Sequence, residues 1–282
     1  MAWHRSYGPL VEHLLTHWQG REVSLVLDRT DLGRRWSILL LGAAYRKRLL
    51  PLAWRVLPFG GTSAEVQLAL LRQVAPYLPK QVRVHLYGDC EFRAVELHRY
   101  CQEKGWHWQL GVKSDTYVQI NGVWQQLQDL PLQAGERRFW QQLNLTRSHS
   151  FGPVNLIGDW NSKREYPLYW SVDLPANAQA WRRGRKRFWI EPTFRDWKSY
   201  GFDLERCHID HPSRLNMLLL GMSITTVWMI HIGDWLTRHG HNHLLDRTHY
   251  VDYSLFRLGR DYVTRCQTMG WSIPVGFVVQ HR

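Results

Sequence analysis

Residues 22–57, EVSLVLDRTDLGRRWSILLLGAAYRKRLLPLAWRVL, hold three apolar runs separated by charged breaks. The first, EVSLVLD at 22–28, has the pattern of a buried strand that ends in an acid, Asp28. Trp36 to Tyr45 and Leu49 to Leu57 read as two more strands, with Arg46-Lys47-Arg48 at the bend between them. Strands in immediate succession predict an antiparallel meander. Further on, Gly60-Gly61-Thr62-Ser63 is a turn in which Ser63 is placed to N-cap the run AEVQLALLRQVAPYL. VRVHLYG at 82–88 is a fourth strand with Asp89 at its C-terminal end. Phe92 to Lys104 reads as a helix closed by Gly105, and Trp106 to Val112 as a fifth strand. A strand–helix–strand step predicts a parallel pair joined by a crossover.

The expected class is therefore mixed α/β, and this order of elements is that of a ribonuclease H-like core. Residues 1–20 are expected to form a short N-terminal helix, and 21–113 with 175–238 the core. Residues 114–174 are polar and turn-rich, with short runs such as TYVQI, RFWQQLNL and EYPLYWSVDL, and read as a β-rich insertion. Residues 239–282 form a C-terminal tail. Leu215 to Ile230, LNMLLLGMSITTVWMI, carries no charge but is shorter than the ~20 residues of a spanning helix. Asn216, Ser223, Thr225 and Thr226 interrupt it, so a buried core helix is expected and no membrane partner.

The chain has 282 residues, a length for one large domain or two small ones. Its 44% hydrophobic and 21% charged residues exclude a disordered chain. Thirty-six Lys and Arg against 24 Asp and Glu leave +12, which favours polyanions, because cations on phosphates release condensed counterions. Sixteen tryptophans offer faces on which unpaired bases can stack. Cys90, Cys101, Cys207 and Cys266 form no CxxC pair, and the N-terminus lacks a signal-peptide pattern, so a reducing, cytoplasmic setting is expected.

Asp28 and Asp89 matter because of their places. In a mixed sheet of this order the first and fourth strands are neighbours, so both carboxylates would meet at one sheet edge. Two such groups repel unless a divalent cation sits between them, and hard oxygen ligands suit Mg²⁺ or Mn²⁺. On the residues alone, Asp89 is equally a cap for the helix that follows. A third acid, Glu191, lies in RKRFWIEPTFRDWKSYGF. On an ideal helix Lys198 returns to within about 20° of Glu191 and Arg187 lies about 40° away, so one face would carry an acid between two cations. Pro192 is tolerated in a first turn, which puts the helix start between about Phe188 and Glu191 and Arg187 just outside it. His239, His241 and His243, with Asp234, Asp246 and His249 nearby, alternate beside Gly240 and read as a solvated loop rather than a zinc site.

These residues carry a resemblance. The series Asp28, Asp89 and Glu191 resembles the triad of DDE transposases, with contexts LVLDRTDLG, YGDCEFRAVEL and WIEPTFRDWKSYGFDLE. Arg187, Glu191 and Lys198 match the Y-x2-R-x3-E-x6-K signature of one bacterial insertion-sequence class, with Gly184 where the tyrosine is expected. The resemblance implies strand cleavage and strand transfer on double-stranded DNA, at element ends and target. It implies Asp28, Asp89 and Glu191 as ligands of two Mg²⁺ or Mn²⁺ ions, with Arg187 and Lys198 on DNA phosphates. Trp189, or Trp170 or Trp181, would be the platform for a flipped base. It further implies a homodimer on DNA. Relatives carry a separate N-terminal helical domain, whereas about twenty residues precede the first strand here. The alternative is therefore an inactive or truncated remnant that only binds DNA.

Overall fold

The computed structural model describes residues 3–245 and 253–277. Two short helices, α1 (Trp3–Ser6) and α2 (Gly8–Thr16), lead into the antiparallel meander β1 (Glu22–Leu32), β2 (Trp36–Tyr45) and β3 (Arg48–Pro58). Val23 to Leu27 and Ser37 to Tyr45 are buried without interruption, so these strands read as continuous apolar runs rather than as alternating ones. β1 does not end at Asp28 as the sequence suggests. It continues four residues to Leu32, because its second half keeps pairing with β2 as far as Leu32↔Trp36.

Ser63 caps α3 (Ala64–Val74), accepting from the Val66 N–H at 3.4 Å. β4 (Arg83–Gly88) then lies parallel to β1, and β5 (His107–Val112) parallel to β4. The helix expected from Phe92 is split into a 3-10 turn, Cys90–Phe92, and α4 (Val95–Lys104), which Gly105 closes at φ +65°. Residues 114–174 supply β6 (Tyr117–Ile120), β7 (Val123–Gln126), β8 (Arg137–Leu145), β9 (Phe151–Asp159) and β10 (Leu168–Val172). They extend the same sheet, since β10 runs antiparallel to β5. The ten strands follow the order β3-β2-β1-β4-β5-β10-β9-β8-β6-β7.

Four further helices follow among the described residues: α5 (Ala178–Gly184), α6 (Ile190–Arg195), α7 (Pro212–Arg238) and α8 (Leu255–Met269). α7 is long and apolar enough to cross a membrane by length and composition. It packs on β3 and α8, where Leu215, Leu219, Met222 and Val227 are buried. Two of the polar residues that interrupt it have partners: Asn216 accepts from the Trp54 indole at 3.2 Å and Thr226 from the Trp197 indole at 2.9 Å. All four cysteines are free thiols.

His98 fastens α4 to the extended part of the sheet. Its Nδ1 lies 2.9 Å from the Ala94 carbonyl and its Nε2 2.7 Å from the Ser171 hydroxyl on β10. With Nδ1 donating to the carbonyl, Nε2 accepts from the hydroxyl, and the neutral ring is satisfied. Burial pushes its pKa down to about 4, below the unfolded value. The unfolded chain therefore binds the extra proton between about pH 6.5 and 4, and stability falls as pH drops through that window. Urea denaturation at both ends of the window should show His98→Gln losing less stability on acidification than the parent, by up to roughly 3 kcal/mol.

Candidate active site

The parallel register of β1 against β4 closes at Leu27↔Gly88. The next residue on each strand is an acid, so Asp28 and Asp89 emerge side by side at the carboxyl ends of the parallel pair. Beyond that point β1 continues with β2, while the other chain leaves the sheet at Asp89. Asp89 also caps the 3-10 turn, its carboxylate accepting from the Glu91 N–H at 2.8 Å. The cap and the meeting with Asp28 thus coexist. The turn passes directly over Gly111 on β5, where a Cβ would stand 2.6 Å from the Cys90 nitrogen and 2.7 Å from the Asp89 carbonyl carbon. Only glycine permits that approach.

A tether between distant segments fastens β1 to the turn that follows Asp89. Arg29, next to Asp28, donates through Nε to both oxygens of Glu91, two residues after Asp89, at 2.8 and 3.1 Å. Glu91 also accepts from the Thr62 N–H at 2.9 Å and the Thr62 hydroxyl at 2.7 Å, which adds the entrance to α3. Arg29 in turn holds Asp31 and lies 3.2 Å from the Ser37 hydroxyl. The signal for this network was complementary charge immediately beside each acid, but the partners are 62 residues apart.

Glu191 arrives from the other side on α6, whose start at Ile190 agrees with the limit set by Pro192. The helix buries Ile190, Thr193 and Phe194, and the Thr193 hydroxyl accepts from the Leu49 N–H on β3 at 3.0 Å. Glu191 itself stays 55% exposed. Arg187 lies in the preceding 3-10 turn, Arg185–Trp189, which Lys186 pins to the Ser24 hydroxyl on β1 at 3.0 Å. Its guanidinium is 3.5 Å from Asp28 and 3.7 Å from Glu191 and so joins the two acids. Lys198 does not complete that face. After Arg195 the helix widens into a π turn, Asp196–Tyr200, which breaks the 100° spacing, and Lys198 pairs instead with Glu205 at 3.5 Å.

Trp170, Trp181 and Trp189 line one cavity of about 960 Å³, together with Lys47, Arg48 and Arg185. Trp181 is already covered by the Arg137 guanidinium, 3.4 Å from its ring centre. Trp170 pairs with Gly111 across β10 and β5, and Trp189 stands two residues before Glu191. The histidine stretch lies elsewhere, with the rings of His239 and His241 against Trp235. Asp234 is buried in pairs with Arg46 and Arg238. Asp246 and His249 fall outside the described residues.

Burial, and then the charge of Asp89, push the Asp28 pKa up to about 7, while Arg187 and the Arg29 N–H oppose them. Among the described residues no three His, Cys, Asp or Glu side chains stand in metal-holding geometry, and Arg187 bridges Asp28 and Glu191. The donor chemistry nevertheless fits a hard divalent cation: it is all carboxylate oxygen, and the strained ionisation of Asp28 is what such a charge relieves.

Three outcomes test this geometry. Without metal, the folded state retains the Asp28 proton between about pH 4 and 7, so this group's contribution to stability declines as pH rises through that window. Asp28→Asn should therefore melt above the parent at pH 8, with the gap closing toward pH 4. Excess Mg²⁺ should raise the parent's melting temperature and leave the variant unchanged. Glu91→Ala, which strips Arg29 and Thr62 of their shared acceptor, should cost about 1–2 kcal/mol in urea denaturation.

The family model described as a transposase DDE domain matches residues 30–228, a span that starts just after Asp28 and includes Asp89 and Glu191. No curated protein sequence matches the chain. Among solved structures, the chain is similar to the piggyBac transposase in a cryo-EM synaptic complex with hairpin DNA, at 12% identity and a TM-score of 0.50. That match covers 92% of this chain and 55% of the other, so the chain spans about half the length of that protein. The crystal structure of human ENDOV matches at 11% identity and a TM-score of 0.30, over 78% of this chain and 94% of that one. At these identities the first likeness is one of fold.

Proposed function

The chain belongs to the transposase DDE domain family, and from that premise we propose that it cleaves and joins DNA at the ends of a mobile element. Asp28, Asp89 and Glu191 are its catalytic carboxylates in this reading. One observation carries it: the β1–β4 register brings Asp28 and Asp89 together, and Arg187 links Asp28 to Glu191 from a separate element. The order β3-β2-β1-β4-β5, a meander followed by two parallel steps, supports a ribonuclease H-like core within the larger sheet.

Within the family we assign the chain to the bacterial insertion-sequence class with the Y-R-E-K signature, on Arg187, Glu191 and Lys198. The departure at Gly184 has a local cause. Its backbone lies against the Gln109 side chain of β5, and a Cβ there would run into that amide. Gln109 thus fills the space through which a tyrosine side chain would leave the helix.

Two Mg²⁺ or Mn²⁺ ions held by Asp28, Asp89 and Glu191 would supply nucleophile activation and stabilisation of the leaving oxygen. The protein's part is to present three oxygen donors at one sheet edge and to place the phosphate. Arg187 has a planar fork of donors, so N–H groups beyond those facing Asp28 and Glu191 remain for a phosphate oxygen. Lys198 is a second phosphate contact, further along the π turn. Trp189, half-buried beside Glu191, is the stacking face for an unpaired base, since the Trp181 face is taken by Arg137. The attacking group is water for cleavage and a DNA 3′-hydroxyl for transfer. Two ends brought together in one reaction call for two copies of the chain on DNA.

The test is cleavage of a labelled duplex with Mg²⁺ or Mn²⁺ by the intact chain, by Asp89→Ala and with EDTA present. Metal-dependent cutting should fall more than about a hundredfold in the variant, since loss even of an outer partner costs 10–100-fold. DNA binding that persists with no cutting under either metal would instead identify a binding remnant.

A further inference from the structure

The hairpin joining β2 and β3 has a two-residue loop, closed by the pair Tyr45↔Arg48. Both loop residues have left-handed backbones, Arg46 at φ 43° and Lys47 at φ 64°. That conformation is the type I′ turn, for which Asn-Gly is the favoured pair and long cationic side chains are poor choices. Turn geometry therefore does not account for Arg-Lys here, whereas what the side chains reach does.

They reach a cavity of about 780 Å³ between the hairpin tip, the π turn and the first half of α8. Arg46, Lys47, Arg48, Arg195, Arg257 and Arg260 line it, and Asp196 is the one acid among the lining residues. Several arginines are fixed from behind: Arg46 by Asp234 at 2.7 Å, Arg48 by Asp196 at 2.8 Å and Arg260 by Asp261 at 2.8 Å. Lys47 and Arg195 have no ion pair among the described residues and are both exposed. Lys47 and Arg48 also line the tryptophan cavity beside Glu191, so the hairpin tip joins the two spaces.

We propose that this second cavity is a track for the phosphate backbone of duplex DNA leaving the candidate active site, with Lys47 and Arg195 as direct phosphate contacts. The inference rests on the DNA-processing reading above. Arginines held by acids, of which Asp234 and Asp196 are buried, set the shape of the track, and the two unpaired cations supply counterion release. The hairpin carries Lys47 out on a two-residue turn from strands that stay paired up to Tyr45↔Arg48, which fixes the charge without ordering a long loop.

The experiment measures binding of a fluorescent duplex by anisotropy over a salt series, for the intact chain, Lys47→Gly/Arg195→Gln and Lys80→Gln. Glycine at position 47 relieves the left-handed backbone, so the double variant should melt no lower than the parent and weaker binding cannot be attributed to misfolding. Its slope of log affinity against log salt should be shallower by about 1.8, with affinity lower by about tenfold at low salt. Lys80, exposed in the loop before β4 and outside the lining of both cavities, should leave the slope unchanged on substitution. An unchanged slope in the double variant, an equal change in the Lys80 variant, or no duplex binding by the intact chain would overturn the proposal. Cleavage followed in parallel separates the two readings. A reduced slope with no metal-dependent cutting by the intact chain keeps the track and removes the catalytic assignment, whereas cutting with an unchanged slope does the reverse.

Discussion

The pairing of β1 with β4 stops at Leu27↔Gly88, and the organisation of the site follows from where it stops. A strand has a side-chain period of two, so a slip of one residue would turn every buried side chain of β1 to the other face and carry Asp28 away from Asp89. The buried run Val23 to Leu27 makes such a slip expensive, because each of these side chains is packed in the core on the face it now occupies and a slip would draw a flanking charge into their place. The core thereby fixes the position of two charges that repel each other. The surroundings answer that repulsion in two ways: Arg187 brings positive charge to Asp28, and the Arg29–Glu91 tether holds the Asp89 turn against β1. Gly111 provides the third condition, room for the Asp89 turn over β5.

Much of this frame was legible in the residues. The meander, the parallel step, the Ser63 cap, the Gly105 stop and the adjacency of the first and fourth strands all come from local patterns of apolar period and turn chemistry. What was not legible depends on contacts between distant segments. β1 passes Asp28 because β2 continues to pair with it, and nothing in 22–28 alone signals that. Lys198 leaves the expected face because the helix widens to a π turn, where Asp196 is drawn to Arg48 and Trp197 is buried against Thr226. A helical-wheel argument assumes a uniform 100° step, and the tertiary anchors of 196 and 197 override it. Arg29 and Glu91 were visible as charges, but their pairing exists only once the sheet has formed.

The net charge of +12 is likewise not spread evenly in its effect. Many surface cations are neutralised locally, as Arg137 is by Asp159 and Arg238 by Asp234, and such pairs do little for a polyanion. The uncompensated cations matter more, and two of them, Lys47 at the hairpin tip and Arg195 at the end of α6, line the same cavity. Tryptophan follows the same division. Trp197 and Trp54 serve the core through indole hydrogen bonds, while Trp170 and Trp189 border the cavity. Composition could indicate affinity for nucleic acid, but only the fold separates structural members of each class from those facing a ligand.

The unequal burial of the acids bears on how the site is put together. Asp28 is 13% exposed on a strand whose position the core dictates, whereas Glu191 is 55% exposed on a helix of six residues. The sheet places the two acids at the strand ends and α6 adds the exposed carboxylate, with Arg187 spanning the gap. An arginine in that position serves two ends. It lowers the repulsion that would otherwise push Asp28 fully to its protonated form, and it keeps Glu191 near Asp28 without burying it. In the proposed reaction an entering cation would take over the first of these tasks, and the guanidinium that stabilises the metal-free arrangement would be the group whose donors become available to a phosphate. Charge compensation and substrate placement would thus pass through one side chain, which explains why Arg187 is secured from both directions, by Lys186 on Ser24 before it and by Thr193 on β3 after it.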